Sequence, residues 1–368
     1  MPILVIFAVA GLIYLLQDRI YKRFWNVNLH ADVEFEDHFI YEGEDTYLRE
    51  TLSNGKILPL PWVYVKFQIN RNGKVGHYRS DLFSIRFYQK IRRRIPFHPE
   101  TRGIYTIRGI DLISNNLFIT RKFVQTLQDA ATMVVYPKLI DVEEFQIPFQ
   151  KMMGDIITKR YMIEDPYMFK GIRDYQSYDS FKSINFKASA RAGKWLVNVH
   201  DYTIQQKVTI LLNMDRANQY YDLRLYENSI RMAASMANAY EQEGIPVSLW
   251  SNGKDVITRE SIELEEGCGL GHLHTLFENL ARMEISLEVE DFGPSLKRAA
   301  EDPDSNSMYL FISPFFGKDC VRNYEELQRM HPSSMWILPV VLSDLSDPDF
   351  KGGQLADTLP NVFLWKVD

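Results

Sequence analysis

Lys207-Val208-Thr209-Ile210-Leu211-Leu212-Asn213-Met214-Asp215-Arg216-Ala217 opens the part of the chain whose rhythm decides the fold. The apolar run 208–214 reads as a buried strand, and the amphipathic pattern over 223–243 reads as a helix that Gly244 is placed to end. The same alternation continues through a strand at 247–250, a helix at 272–283, a strand at 308–313 and a helix at 323–330. Strands at 335–342 and 362–367 complete it. Strands separated by helices predict a largely parallel sheet covered on both faces, and the nearly continuous apolar run 335–342 suits a central position in it. Residues 207–368 are therefore expected to form an α/β domain of the Rossmann type.

Upstream the period changes from helical to two. Residues 63–69 alternate apolar and polar and run into Asn72-Gly73, a hairpin signal. Further short strands are expected at 82–88, 103–113 and 132–136, which together predict an all-β, sandwich-like domain over 33–145. Residues 146–206 form a junction. The first sixteen residues contain no charge. Such a stretch does not form an exposed helix, and its rise of about 24 Å approaches the hydrocarbon thickness of a bilayer. Arg19, Lys22 and Arg23 can reach headgroups, while Tyr14, Tyr21, Phe24 and Trp25 are interfacial aromatics. Residues 1–25 are expected to be a membrane anchor, and the positive charges after it place the folded part in the cytoplasm. A cleaved signal peptide is disfavoured, because no basic stretch precedes the apolar run and cleavage near Ala10 leaves too short a core.

At 368 residues the chain exceeds one ordinary core, and 46% hydrophobic residues with 24% charged ones are globular proportions. A net charge of −6 argues against broad binding to nucleic-acid phosphates. The one dense basic run, Arg92-Arg93-Arg94, reads as the solvated face of a strand. Two cysteines, Cys268 and Cys320, are too few for a disulfide framework and too isolated for a zinc site.

Between the two folded parts runs Gly171-Ile172-Arg173-Asp174-Tyr175-Gln176-Ser177-Tyr178-Asp179-Ser180-Phe181-Lys182-Ser183-Ile184-Asn185-Phe186-Lys187-Ala188-Ser189-Ala190-Arg191. This segment resembles the signature of the domain of unknown function 58 family, in which Gly-x-Arg-x-Tyr precedes Gly-Asp and Arg-x-Ile-x-Trp-Lys-x-Ser-Ala-Arg. Gly171, Arg173, Tyr175, Asp179, Ile184, Lys187, Ser189, Ala190 and Arg191 stand at the family's spacing. Arg102-Gly103-Ile104-Tyr105 is similar to its Arg-Gly-x-Tyr element, and Val134-Val135-Tyr136-Pro137 to its Val-x-Tyr-Pro strand. Tyr178 stands where the family has Gly, Lys182 where Arg is common, and Phe186 where Trp is usual, so the chain resembles a diverged member. The resemblance implies a von Willebrand factor A-like α/β domain over 207–368 and a partner, often a MoxR-type AAA+ ATPase. Read from the residues alone, Asp179-Ser180 is a helix N-cap that puts Phe181, Ile184 and Ala188 on one face. Arg173 is close enough to pair with Asp179. Gly171, Arg173, Tyr175, Asp179, Lys182, Asn185, Lys187, Ser189 and Arg191 are the residues expected to carry partner binding or to staple the junction.

Domains of the implied kind hold Mg²⁺ through Asp-x-Ser-x-Ser at the end of the first strand, because Mg²⁺ requires hard oxygen ligands. Here Asn213, Asp215 and Ala217 occupy that edge, neither register yields the triplet, and Arg216 brings a cation beside it. No metal and no cofactor are expected. Cys268 lies near His272 and His274 in Gly267-Cys268-Gly269-Leu270-Gly271, which reads as a loop before a helix and lacks a phosphate-binding spacing. The expected function is that of a membrane-anchored, single-pass interaction or assembly factor. A Cys/His-dependent hydrolase and a metal-dependent adhesion domain are the alternatives.

Overall fold

A computed structural model describes residues 2–162, 169–176, 179–200, 206–216, 222–304, 306–341 and 351–367. The chain forms two compact units. The first is Met1–Lys138 with Asp255–Arg259 and Phe277–Glu284; the second is Leu139–Lys254 with Glu260–Leu276 and Ile285–Asp368.

The first unit opens with helix α1 (Pro2–Phe24) and continues through strands β1 (Leu29–Phe35), β2 (Phe39–Tyr41), β3 (Thr46–Asn54), β4 (Leu60–Arg71), β5 (Tyr78–Ile85), β6 (Gln89–Phe97), β7 (Gly103–Asn115) and β8 (Lys122–Tyr136). They make a three-stranded sheet, β1-β3-β6, and a five-stranded sheet, β2-β8-β7-β4-β5. Period-two burial explains why they share one core. Along β3, Thr46, Leu48, Glu50, Leu52 and Asn54 point inward, and the two leucines meet Val63, Phe67, Ile110, Leu112 and Met133 from the larger sheet. Gly109, at φ +77°, accommodates the bulge where β7 shifts register against β8. Tyr21 and Trp25 join this core, so the last turns of α1 are part of the unit rather than a linker. Ahead of them, Ile3–Phe24 is long and apolar enough to cross a membrane.

The second unit contains α2 (Val142–Met162), β9 (Phe169–Asp174), a 3₁₀ turn (Phe181–Ser183), α3 (Phe186–Ala192) and β10 (Leu196–His200). After these come β11 (Lys207–Leu212), α4 (Leu223–Gln242), β12 (Val247–Lys254), β13 (Ser261–Gly267), α5 (Leu270–Arg282), whose last turns belong to the first unit, and α6 (Gly293–Ala300). The remaining elements are β14 (Ser307–Ile312), α7 (Lys318–Met330), β15 (Met335–Val341), α8 (Lys351–Thr358) and β16 (Val362–Val367). Strands β13-β12-β11-β14-β15-β16 form one sheet in that order. Asp222 caps α4 by accepting from the Arg224 amide at 2.9 Å, and Gly244 at φ +69° follows its end.

The fold class expected from the sequence, a von Willebrand factor A-like (Rossmann-type) α/β domain behind a β-sandwich and a membrane helix, is corrected here. The chain is dominated by β-sheet, with strands distributed over four sheets. Strict strand–helix alternation also breaks in the second unit, where β12 turns straight back into antiparallel β13 and α5 is followed by α6 with no strand between. The strand–helix rhythm of the apolar runs does not extend through 255–306, where the edge strand β13 (Ser261–Gly267) buries only Ile262 and alternates too briefly to stand out as a run.

Candidate functional site

Within the second unit, the described signature residues gather on and beside a two-stranded ribbon. β9 and β10 pair antiparallel, with Gly171 opposite Val199 and Arg173 opposite Val197. Arg173 extends from this ribbon and donates through both terminal nitrogens to the two oxygens of Asp179, each at 2.6 Å. Asp179 also accepts from the Gln176 amide at 2.8 Å. The bidentate pair ties Asp179 to the ribbon, and the Arg173 guanidinium holds the Asp179 carboxyl below its ordinary value, with the Gln176 amide assisting. Tyr175 donates its amide to the Trp195 carbonyl at 2.9 Å and lays its ring 6.0 Å from that of Phe181.

The single helix expected from 180 onward is split. Ser180 caps only the 3₁₀ turn that carries Lys182, Ile184 ends that turn, and Asn185 starts α3 by accepting from the Ala188 amide at 2.9 Å. Extended backbone at 184–185 intervenes because the Asn185 amide donates to the Leu196 carbonyl at 2.8 Å, and its side chain donates to Asn198 at 2.7 Å. Ser189 completes the seam: its hydroxyl accepts from the Leu196 amide at 2.9 Å. Asn185 and Ser189 are thus positioning groups that dock α3 on β10. Gly193, at φ +70°, ends the helix in a conformation few other residues adopt.

What this leaves outward is an open groove of about 440 Å³, lined by Phe186, Ala190, Gly193, Lys194 and Trp195 with Ser189 at its floor. Phe186 and Trp195 meet edge to face with ring centroids 6.3 Å apart, yet remain 65% and 58% exposed. Lys187 and Arg191 stand one helical turn apart on α3, both exposed, but they fall outside the groove's lining, to which Lys194 brings the positive charge. The sequence singled out Lys187 and Arg191 but not the aromatic pair, whose exposure depends on the seam between α3 and β10. Nothing in the local pattern distinguishes an outward aromatic from a core one.

At the carboxyl end of the six-stranded sheet, Asp215 is fully engaged. Its amide donates to Asn213 at 2.8 Å, and its carboxylate accepts from Asn252 at 2.8 Å and from the Phe292 amide at 3.1 Å. Asn213 donates to Ser313 at 3.1 Å. Burial raises the Asp215 carboxyl above its ordinary value and nearby Asp291 adds to this, while the Phe292 amide and the amides of Asn252 and Asn213 oppose it. Arg216 donates to the Leu287 carbonyl at 3.1 Å. The edge is a hydrogen-bonded knot between strand ends, and among the described residues no group of three His, Cys, Asp or Glu is gathered to hold a metal. Ala217 lies outside the described residues. Beyond the knot is a hollow of about 700 Å³ lined by Leu225, Tyr226, Phe315, Phe316 and Leu355, with Lys318 at its rim.

Cys268 is exposed, but burial of its sulfur and a hydrogen bond to Glu241 raise its thiol above the ordinary value. A neighbouring carboxylate disfavours the thiolate that a nucleophile needs. His272 is occupied by the Val247 carbonyl at 2.8 Å from Nε2. Cys320 is buried and its thiol is pushed up to about 12 by burial, then by Asp215 and Asp291.

No family model matches the chain, and no curated protein matches it. Among solved structures it is similar to a CARDB domain from Pyrococcus furiosus, with 17% identity over 30% of this chain and 93% of that one and a TM-score of 0.21. It is also similar to a PapD-like domain of human CEP192, with 18% identity over 29% of this chain and 86% of that one and a TM-score of 0.19. A further similar structure is that of an Arabidopsis thaliana protein, with 14% identity, 30% and 81% coverage and a TM-score of 0.22.

Proposed function

We propose that this chain is a membrane-anchored interaction or assembly factor that offers the groove beside α3 to a protein partner. The observation that carries the reading is the exposed Phe186–Trp195 pair, held by the Asn185 and Ser189 seam with Lys194 beside it. Exposed aromatics next to a cation make a surface for an acidic segment with an apolar anchor. No nucleophile, base or gathered ligand set accompanies them among the described residues. The resemblance of 171–191 to the domain of unknown function 58 signature supports membership of that family, and with it a MoxR-type AAA+ ATPase as the partner. Arg19, Lys22 and Arg23 after the apolar run support a single-pass anchor in the cell membrane with the folded part in the cytoplasm, where such an ATPase resides.

The test is capture of a purified MoxR-type ATPase by the full chain in detergent. Trp195→Ser is expected to weaken binding about thirtyfold, corresponding to loss of one aromatic anchor worth about 2 kcal/mol. Lys194→Glu is expected to weaken it and reduce its salt dependence, with the unfolding transition of each variant unchanged. Wild-type affinity in both variants would refute the assignment of this groove.

A further inference from the structure

The β7–β8 hairpin ends in three consecutive apolar residues, Leu117, Phe118 and Ile119, which are 50%, 51% and 57% exposed. A water-exposed turn ordinarily carries Gly, Asn, Asp or Ser. Instead a β-branched residue, Ile119, sits in the left-handed region at φ +59°. The tip is held firmly in this shape. Asn116, completely buried, accepts from the Thr120 amide at 2.8 Å and the Arg121 amide at 3.2 Å, and donates to the Thr120 hydroxyl at 2.7 Å.

The same clamp fastens the hairpin to α1. Asn116 donates to Asp18 at 3.2 Å, and Arg121 pairs with Asp18 at 3.1 Å. One helical turn nearer the amino terminus, Tyr14 donates to the Thr120 hydroxyl at 3.2 Å and its ring lies 6.0 Å from Phe118. The base of the hairpin is therefore level with the first charged residue of α1, and its tip is level with Tyr14, about 6 Å further along the axis into the uncharged segment. Phe87 and Tyr88, 59% and 70% exposed, lie at this same end of the five-stranded sheet, because Ile85 pairs with Leu60 and Val63 with Ser114.

We infer that the hairpin tip is a second membrane-inserting element, which enters the lipid interface beside α1 and adds an apolar wedge to the anchor. The occupant of this surface is the bilayer, because the patch is continuous with the only described helix long and apolar enough to cross one. Burial of Leu117, Phe118 and Ile119 in lipid also explains why apolar side chains occupy a turn. Exposed Arg19, Lys22 and Lys122 are placed to meet headgroups at the same level. The inference rests on α1 being a membrane span, and the experiment separates the two.

Single nitroxide labels are placed on Phe118→Cys, Val5→Cys and Val75→Cys in a Cys268→Ser background of the full chain. The protein is reconstituted in vesicles of phosphatidylethanolamine and phosphatidylglycerol. Val75 is 81% exposed in the β4–β5 turn, at the opposite end of the sheet from the hairpin, and serves as the water reference. Collision rates with oxygen and with a water-soluble nickel complex are then compared. The expected result is an oxygen-to-nickel ratio at 118 severalfold above that at 75 and shifted toward that at 5. A ratio at 118 equal to that at 75, with 5 still in lipid, overturns the wedge while leaving the anchor intact. Shielding of 118 from both reagents identifies a protein contact and also overturns it. A ratio at 5 equal to that at 75 removes the anchor and the wedge together.

Discussion

Glu50→Gln isolates a cost built into the first unit. Glu50 is only 1% exposed on the inward face of β3, and neither carboxyl oxygen has a hydrogen-bond partner. Burial, reinforced by the charge of Asp81 and only partly offset by Arg79 and Arg93, pushes its carboxyl from 4.5 up to about 7. Between those values the folded state retains a proton that the unfolded chain has released. Stability therefore falls as pH rises from 4.5 to about 7 and is level above that. At about 1.4 kcal/mol per pH unit, the interval corresponds to about 3 kcal/mol. Glutamine keeps the shape and is neutral throughout, so this slope should vanish in the variant, leaving it the more stable protein at pH 8 by up to that amount. Because the chain has two compact units, one global midpoint is a poor observable. Native-state hydrogen exchange of the β3 and β6 amides between pH 5 and 8, corrected for intrinsic rates, reads the relevant opening free energy. Parallel pH profiles for wild type and variant would refute the reasoning.

Arg102 is 1% exposed and donates to the carbonyls of Leu280 at 2.8 Å, Ala281 at 3.4 Å and Met283 at 2.7 Å, satisfying the end of α5. Arg102→Met should cost about 3 to 5 kcal/mol by the same exchange measurement, and a loss below about 1 kcal/mol would show that water replaces it. The Asp179 carboxyl is held below 3.8 by Arg173. Protection of the Gln176 amide should therefore persist from neutral pH and be lost only as pH falls below that value, whereas in Arg173→Ala it should already be lost at pH 7. Mg²⁺ at millimolar concentration should leave amide exchange in β11 and β14 unchanged, since Asn252 and the Phe292 amide occupy the Asp215 carboxylate; a clear gain in their protection would expose an oxygen site.

Much of this architecture is legible wherever local chemistry is decisive. Gly244 marks the end of α4 because a left-handed terminus acts within one turn. The strands at 207, 307, 335 and 362 are legible as apolar runs, and the uncharged first sixteen residues announce the helix at Pro2–Phe24. Arg173 and Asp179 stand six residues apart, close enough for their contact to be read directly. Long-range partners are where local reading ends. Arg102 acts on carbonyls 178 to 181 residues away, and Asn252 reaches Asp215 from the adjacent strand, 37 residues along the chain. Helix α2, over Val142–Met162, contains Pro148 and lacks a clean apolar stripe. The edge strand β13 carries only a short alternation, Ser261-Ile262-Glu263-Leu264-Glu265, with a single buried side chain, and its antiparallel pairing with β12 is not written in it.

Because Tyr21 and Trp25 are embedded in the β core and Asp18 is clamped by Asn116 and Arg121, α1 enters the first unit without a leash. A tether of that kind transmits torque. The first unit cannot swivel independently of the helix axis, so any constraint placed on the direction of α1 is passed directly to the β core.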